Sequence, residues 1–141
     1  MNYKHITLKT LFAVGALCTT SLVVAANKAE PECVHADTTP QGNRSYTQCL
    51  DKQLDAKKRQ WQAWQNKRQL ELEGYAKSSG ITQPLDIYLR AEKTYKHYVE
   101  DSCRWRYLRV MPNAVAAAIA YKKCELRLIE QRIEAYQVPL D

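Results

Sequence analysis

The chain has 141 residues, with 21 basic and 15 acidic side chains and five cysteines. Its length excludes a second domain and allows one with a modest core. The excess of positive charge points to anionic partners, such as phosphorylated lipid headgroups, cell-wall polymers or acidic protein patches, bound in a salt-dependent way.

Residues 1–26 read as a secretory signal peptide. A basic start, Met1 to Lys9, leads into the apolar run Leu11-Phe12-Ala13-Val14-Gly15-Ala16-Leu17, and Val24-Ala25-Ala26 supplies a small-residue cleavage site. Cys18-Thr19-Thr20-Ser21 interrupts the run, which is too short for a membrane span of about 20 apolar residues. Cys18 raises the alternative of a lipoprotein, but the bulky Leu17 stands where such signals carry a small residue. Cleavage after Ala26 is expected, leaving one domain, residues 27–141, with no membrane span, in the periplasm or secreted. Loss of Lys4 and Lys9 lowers the net charge from +6 to +4. Nucleic acid is not an expected partner in this compartment.

Cys33, Cys49, Cys103 and Cys124 remain, an even set in an oxidising compartment, which reads as two disulfides with three possible connectivities. A zinc site using Cys33 and His35 is the alternative, but Cys-x-His is not a usual ligand spacing, so no metal is expected.

From Asn27 to Asn43, Pro31, Pro40, Gly42 and small polar residues predict an irregular arm. Ser45-Tyr46-Thr47-Gln48 has the pattern of a capping box and predicts a helix over residues 45–75. Its apolar face would be Tyr46, Leu50, Leu54, Trp61, Trp64, Leu72 and Tyr75. Gly74 weakens the last turn, and Lys77-Ser78-Ser79-Gly80 reads as a loop. Cys49 falls in the first turn, so a bond to Cys33 would tie the arm to the helix, with a loop-closure value of ~3 kcal/mol.

Pro84 suits a first-turn position, and a second helix is predicted over residues 84–110, ending before Pro112. Its predicted inward stripe is Leu85, Tyr88, Ala91, Tyr95, Tyr98, Ser102 and Trp105. Asn113 can cap a third helix over residues 114–136, with Val115, Ile119, Leu126, Ile129, Ile133 and Tyr136 inward. If helices two and three turn back at Pro112-Asn113, a rise of 1.5 Å per residue brings Cys103 and Cys124 to levels ~3 Å apart. That favours Cys103 with Cys124, and hence Cys33 with Cys49. The fold class is therefore all-α: a three-helix antiparallel bundle with an irregular N-terminal arm and two disulfides.

Few residues point to chemistry. Glu92, Glu100 and Asp101 do not form a required catalytic carboxylate pair, and His35 and His97 have no serine or free thiol to partner them. No catalytic or cofactor-binding residue is assigned, and the chain reads as a binder rather than an enzyme. Trp61 and Trp64 lie within one turn, so both cannot point straight inward, and one becomes a contact candidate. Arg104-Trp105-Arg106-Tyr107-Leu108-Arg109 interleaves cations with aromatic rings, an arrangement that binds anionic polymers by charge and stacking. In the structural alternative Trp105 is core and Arg104 and Arg106 are solvated beside the helix C-terminus.

The stretch Leu89-Arg90-Ala91-Glu92-Lys93-Thr94-Tyr95-Lys96-His97-Tyr98-Val99-Glu100-Asp101-Ser102-Cys103 resembles the central signature of the lysozyme-inhibitor LprI-like family. Cys124-Glu125-Leu126-Arg127-Leu128-Ile129-Glu130-Gln131-Arg132-Ile133 is similar to its closing segment, and Cys33 and Cys49 to its N-terminal cysteine pair. Tyr95 stands where the family commonly has tryptophan, and Val99 where it has arginine. The resemblance implies an inhibitor of lysozyme-type muramidases that occludes the enzyme's cleft without a cofactor. The alternative is an envelope protein that recognises an anionic wall or membrane component, or another secreted protein. Animal-type lysozymes are generally basic, so the two readings differ in how salt should act.

Overall fold

Thr39 and Pro40 start the first helix, upstream of the expected Ser45. The computed structural model describes residues 32–138 and contains α1 (Pro40–Ser79), α2 (Gln83–Val110) and α3 (Ala114–Gln137). The expected signal peptide and Cys18 lie outside the described residues. The Thr39 hydroxyl accepts from the amide of Gly42 at 3.0 Å, and Pro40 fills the first turn, where an amide hydrogen has no partner to lose. The capping box at Ser45 is thereby displaced into the helix interior. Gly42 is required here: a Cβ on it would lie 2.0 Å from the Asp37 carboxylate, which accepts from the Thr39 amide and hydroxyl.

The far end of α1 also differs from expectation. The helix runs through Gly74 and Lys77 to Ser79, because the stop signal is Gly80, whose φ of 74° closes the helix as its amide donates to the Ala76 carbonyl at 2.9 Å. The predicted start and end of α2 and the Asn113 cap agree with the structure. Asn113 Oδ1 accepts from the Ala116 amide at 3.0 Å, and the Met111–Pro112 bond is cis.

The three helices run up, down and up, with α3 packed against both others. Both expected disulfides are present, Cys33–Cys49 with a Cα separation of 5.8 Å and Cys103–Cys124 with one of 5.5 Å. Cys33 is therefore oxidised and unavailable as the thiolate a zinc site would use. Two disulfides of this kind persist in oxidising surroundings, which agrees with an extracytoplasmic protein. No helix among the described residues is long and apolar enough to cross a membrane.

Leu54, Trp61, Ile129, Ile133 and Tyr136 form the main core, and Val99 packs with the Cys103–Cys124 bond in a second cluster. Tyr95 packs against both. The predicted stripe of α2 is rotated: Tyr88, Glu92, Tyr95, Val99 and Cys103 face inward, while Tyr98 and Trp105 are 53% and 51% exposed. Ala91 is exposed as well, and so are Tyr75 on α1 and Val115 on α3, all expected to be buried. Alternating steps of three and four drift around a straight helix of 3.6 residues per turn, so a stripe chosen that way leaves the core side along α2.

This rotation separates two tyrosines of the same signature. Tyr95 donates its hydroxyl to the Leu128 carbonyl at 2.8 Å and meets Trp61 edge-on. Tyr95→Ala is expected to lower the unfolding free energy by about 3 kcal/mol, and Tyr98→Ala by less than about 1, in urea denaturation. Equal losses would contradict the rotated face.

Candidate functional site

The ends of α2 and α3 and the N-terminal arm enclose a cleft of about 780 Å³. Ala116, Ala120 and Cys124 recur at helical spacing on α3, and these small side chains leave the space open. Arg106 and Arg109 stand on the α2 wall, with Lys123 and Arg127 on the α3 wall. Trp105, half exposed, sits at the rim, and the Arg106 guanidinium lies 4.9 Å from its ring centroid. The Arg106 Nε also donates to the Ser102 carbonyl at 3.2 Å, which fixes the start of that side chain on the helix.

The arm supplies His35 and Thr38 to the third side. Asn43 donates its amide Nδ2 to the Thr38 carbonyl at 3.0 Å, so its Oδ1 faces His35, and His35 Nε2 must donate to it at 2.7 Å. The imidazole lies flat on Tyr46, with centroids 4.5 Å apart and planes inclined by 11°. The Cys33–Cys49 bond holds this assembly against the first turns of α1.

No carboxylate among the described residues lines the cleft. Asp37, nearest in the arm, spends its carboxylate on Thr39, and those hydrogen bonds hold it below the ordinary aspartate value. Five cations elsewhere are paired, Lys57 with Glu130, Lys58 with Glu125, Lys122 with Asp51, Arg68 with Glu71 and Arg132 with Glu92, while others stand on the open surface. None of Arg106, Arg109, Lys123 and Arg127 forms an ion pair among the described residues.

The contact candidates from sequence are not brought together. Trp61 is buried in the core, its indole N–H without an acceptor among the described residues, so it is no surface contact. Trp64 is half-buried, stacked on Tyr136 at 6.4 Å, with the Lys67 ammonium 5.0 Å from its centroid. Trp61 lies level with Tyr95, ~15 Å along the axis from Trp105, and Trp64 lies almost a turn further away. Arg104 is exposed but turns to a separate, mixed-charge depression with Asp51, Asp55 and Glu100. Arg106 alone of the four lines the cleft. Lys123 is not among the contact candidates from sequence, and His35 enters there only as a zinc-ligand alternative, although Ala116, Ala120, Lys123 and Arg127 follow helical spacing and so share one face of α3.

A second polar cluster is internal. Glu92, 5% exposed, accepts from Gln65 Nε2 at 2.5 Å and from Arg132 Nε at 3.1 Å, and forms an ion pair with the Arg132 guanidinium. Arg132 also lies over the rings of Tyr95 and Tyr136. Burial alone would raise the Glu92 carboxyl, but hydrogen bonds from Gln65, Arg132 and Tyr136 outweigh it and hold it below the ordinary glutamate value. These partners hold the Glu92 carboxylate as a tie between the three helices.

No protein-family model, no curated protein and no solved structure matches this chain.

Proposed function

We propose that this protein is a periplasmic inhibitor of lysozyme-type muramidases that acts, without a cofactor, by occluding the enzyme's cleft. The reading starts from the similarity of residues 89–103 and 124–133 to the LprI-like family. The observation that supports it is Trp105, a half-exposed indole flanked by arginines at the end of the bundle that both disulfides brace. Muramidases of this type cut with a carboxylic acid and a carboxylate beside the scissile bond. An arginine-flanked aromatic on a rigid support is suited to such a site, and Trp and Arg are the residues that most often dominate binding energy.

Titration of lysozyme activity on cell walls, corrected for the enzyme's own salt dependence, tests this. Inhibition should hold or strengthen between low and physiological salt, because screening removes repulsion between two basic proteins faster than it weakens a buried contact. Trp105→Ala should weaken inhibition by about 30-fold while leaving the fold intact. Absence of inhibition of animal, invertebrate and goose-type lysozymes at large molar excess would overturn the reading.

The second reading, an envelope protein that binds an anionic wall or membrane component, is favoured by the unpaired cations of the cleft. Such binding should weaken steeply with salt, the opposite dependence.

A further inference from the structure

We infer that the cation-lined cleft is a binding site for a phosphorylated saccharide. This rests on the second reading above, that an anionic component of the envelope is recognised, and names the chemistry that the cleft would take.

Charge is the first argument. Arg106 and Arg109 face Lys123 and Arg127 across one concavity, while the other ion pairs of the bundle are formed outside it. Four like charges around a low-dielectric wall repel one another and focus a positive potential into the space between them. An anion held there relieves that repulsion, and three of the four cations are guanidinium groups, whose planar fork matches two phosphate oxygens at once.

Size and surface chemistry narrow the ligand further. About 780 Å³ is far more than a lone phosphate fills and falls in the usual range for an organic ligand. The rim carries the half-exposed Trp105, a flat apolar ring that a bare anion does not need but on which the C–H face of a sugar ring can pack. Opposite, Thr38 supplies a hydroxyl and Asn43, already bonded to the Thr38 carbonyl and His35, keeps a second amide hydrogen, both neutral groups suited to hydroxyls, and the floor of Ala116 and Ala120 admits a ring without obstruction. Guanidinium groups for phosphate, an indole for the ring and amide or hydroxyl groups for sugar hydroxyls thus surround one space.

Titration calorimetry on the mature protein tests the assignment with a disaccharide carrying two phosphates, its dephosphorylated counterpart, tripolyphosphate and a short single-stranded oligonucleotide. The disaccharide bisphosphate should bind tightest, with tripolyphosphate about 10-fold weaker and the dephosphorylated sugar about 100-fold weaker. Charge reversal by Lys123→Glu with Arg127→Glu, both exposed, should weaken it about 100-fold with the helical circular dichroism unchanged. Trp105→Ala should cost the disaccharide bisphosphate about 10-fold and tripolyphosphate much less. Vesicles displaying a phosphorylated glycolipid headgroup, set beside the soluble disaccharide, separate the two sources: binding to both assigns a lipid headgroup, and binding to the soluble form alone assigns a free sugar phosphate. Tripolyphosphate binding as tightly as the disaccharide bisphosphate would overturn the saccharide assignment and leave the anionic reading standing. Tighter binding of the oligonucleotide would overturn it in favour of a nucleic acid, and binding of none of the anions would remove the anionic reading as well.

Discussion

Arg132→Met is expected to lower the unfolding free energy by about 3–5 kcal/mol, because it leaves the Glu92 carboxylate buried without its counter-charge. Glu92 is enclosed by Gln65, Tyr136 and Arg132, and once Arg132 is gone the neutral partners cannot balance a full negative charge. The reverse change, Glu92→Met, should cost less. Arg132 keeps about a quarter of its side chain exposed and rests on the faces of Tyr95 and Tyr136, so its guanidinium can turn to water. The double substitution removes both charges and should recover most of the loss, since a well-packed apolar pair often replaces a buried ion pair at little cost. Urea denaturation of the four proteins forms a double-mutant cycle. A loss below about 1 kcal/mol for Arg132→Met would show that the pair is not a structural tie.

The same cluster sets the response to acid. The Glu92 carboxyl is held below its ordinary value, so its contribution is fully present above the unfolded value near 4.5 and is lost as pH falls through the folded one. Glu92→Gln should flatten the fall of Tm below pH 5 as well as lower Tm at neutral pH. At the alkaline end the signs reverse. Burial pushes Tyr136 up, with its hydrogen bonds to Tyr88 and Glu92 adding to the effect, and burial also raises Tyr88 and Tyr95. Stability from these neutral hydroxyls declines as pH rises through about 10, where the unfolded tyrosines begin to ionise.

Sequence reasoning reached the features that depend on neighbours in the chain. Asn113 before an apolar-periodic run, Pro84 at a first turn, and cysteines whose levels match across a hairpin each carry their own local reason, and each agrees with the structure. Thr39-Pro40 is equally local but lies inside a stretch whose proline and glycine predict irregular chain. A threonine followed by proline is itself a helix start. The rotated face of α2 was hidden for a different reason. Glu92 occupies a core position and is acidic, so any pattern of apolar residues steps around it to Ala91; partners from the two other helices, Gln65 on one and Arg132 and Tyr136 on the other, make that burial tolerable. The cleft was half visible. The run Arg104 to Arg109 carried the cations of one wall, but the opposing wall and the arm are brought there by tertiary packing, and neighbouring Arg104 faces elsewhere.

The two disulfides have similar loop lengths, with sequence separations of 16 and 21, so loop-closure entropy alone assigns each about 3 kcal/mol. Their surroundings predict unequal effects. Cys103 is fully buried between α2 and α3, Cys124 is nearly so, and Val99 packs on the bond. Those helices stay fixed in the folded state whether or not the bond exists, so replacing both cysteines by alanine returns the whole entropy to the unfolded chain and leaves a cavity besides. The expected loss is about 3–5 kcal/mol. Cys33 instead anchors an exposed arm whose other ties are few, chiefly the stack of His35 on Tyr46 and its hydrogen bond to Asn43. When that bond is removed, the arm gains freedom in the folded state as well, which cancels much of the entropic difference on which a disulfide's stabilisation depends. Cys33→Ala with Cys49→Ala should therefore cost only about 1 kcal/mol, roughly the value of the aromatic contact it releases. Denaturation of the two double variants compares them, and hydrogen exchange should show faster amides over residues 39–46 in the second, with α2 and α3 unchanged. Equal losses near 3 kcal/mol would mean that the arm is as firmly packed as the helices and that His35 is a fixed wall of the cleft.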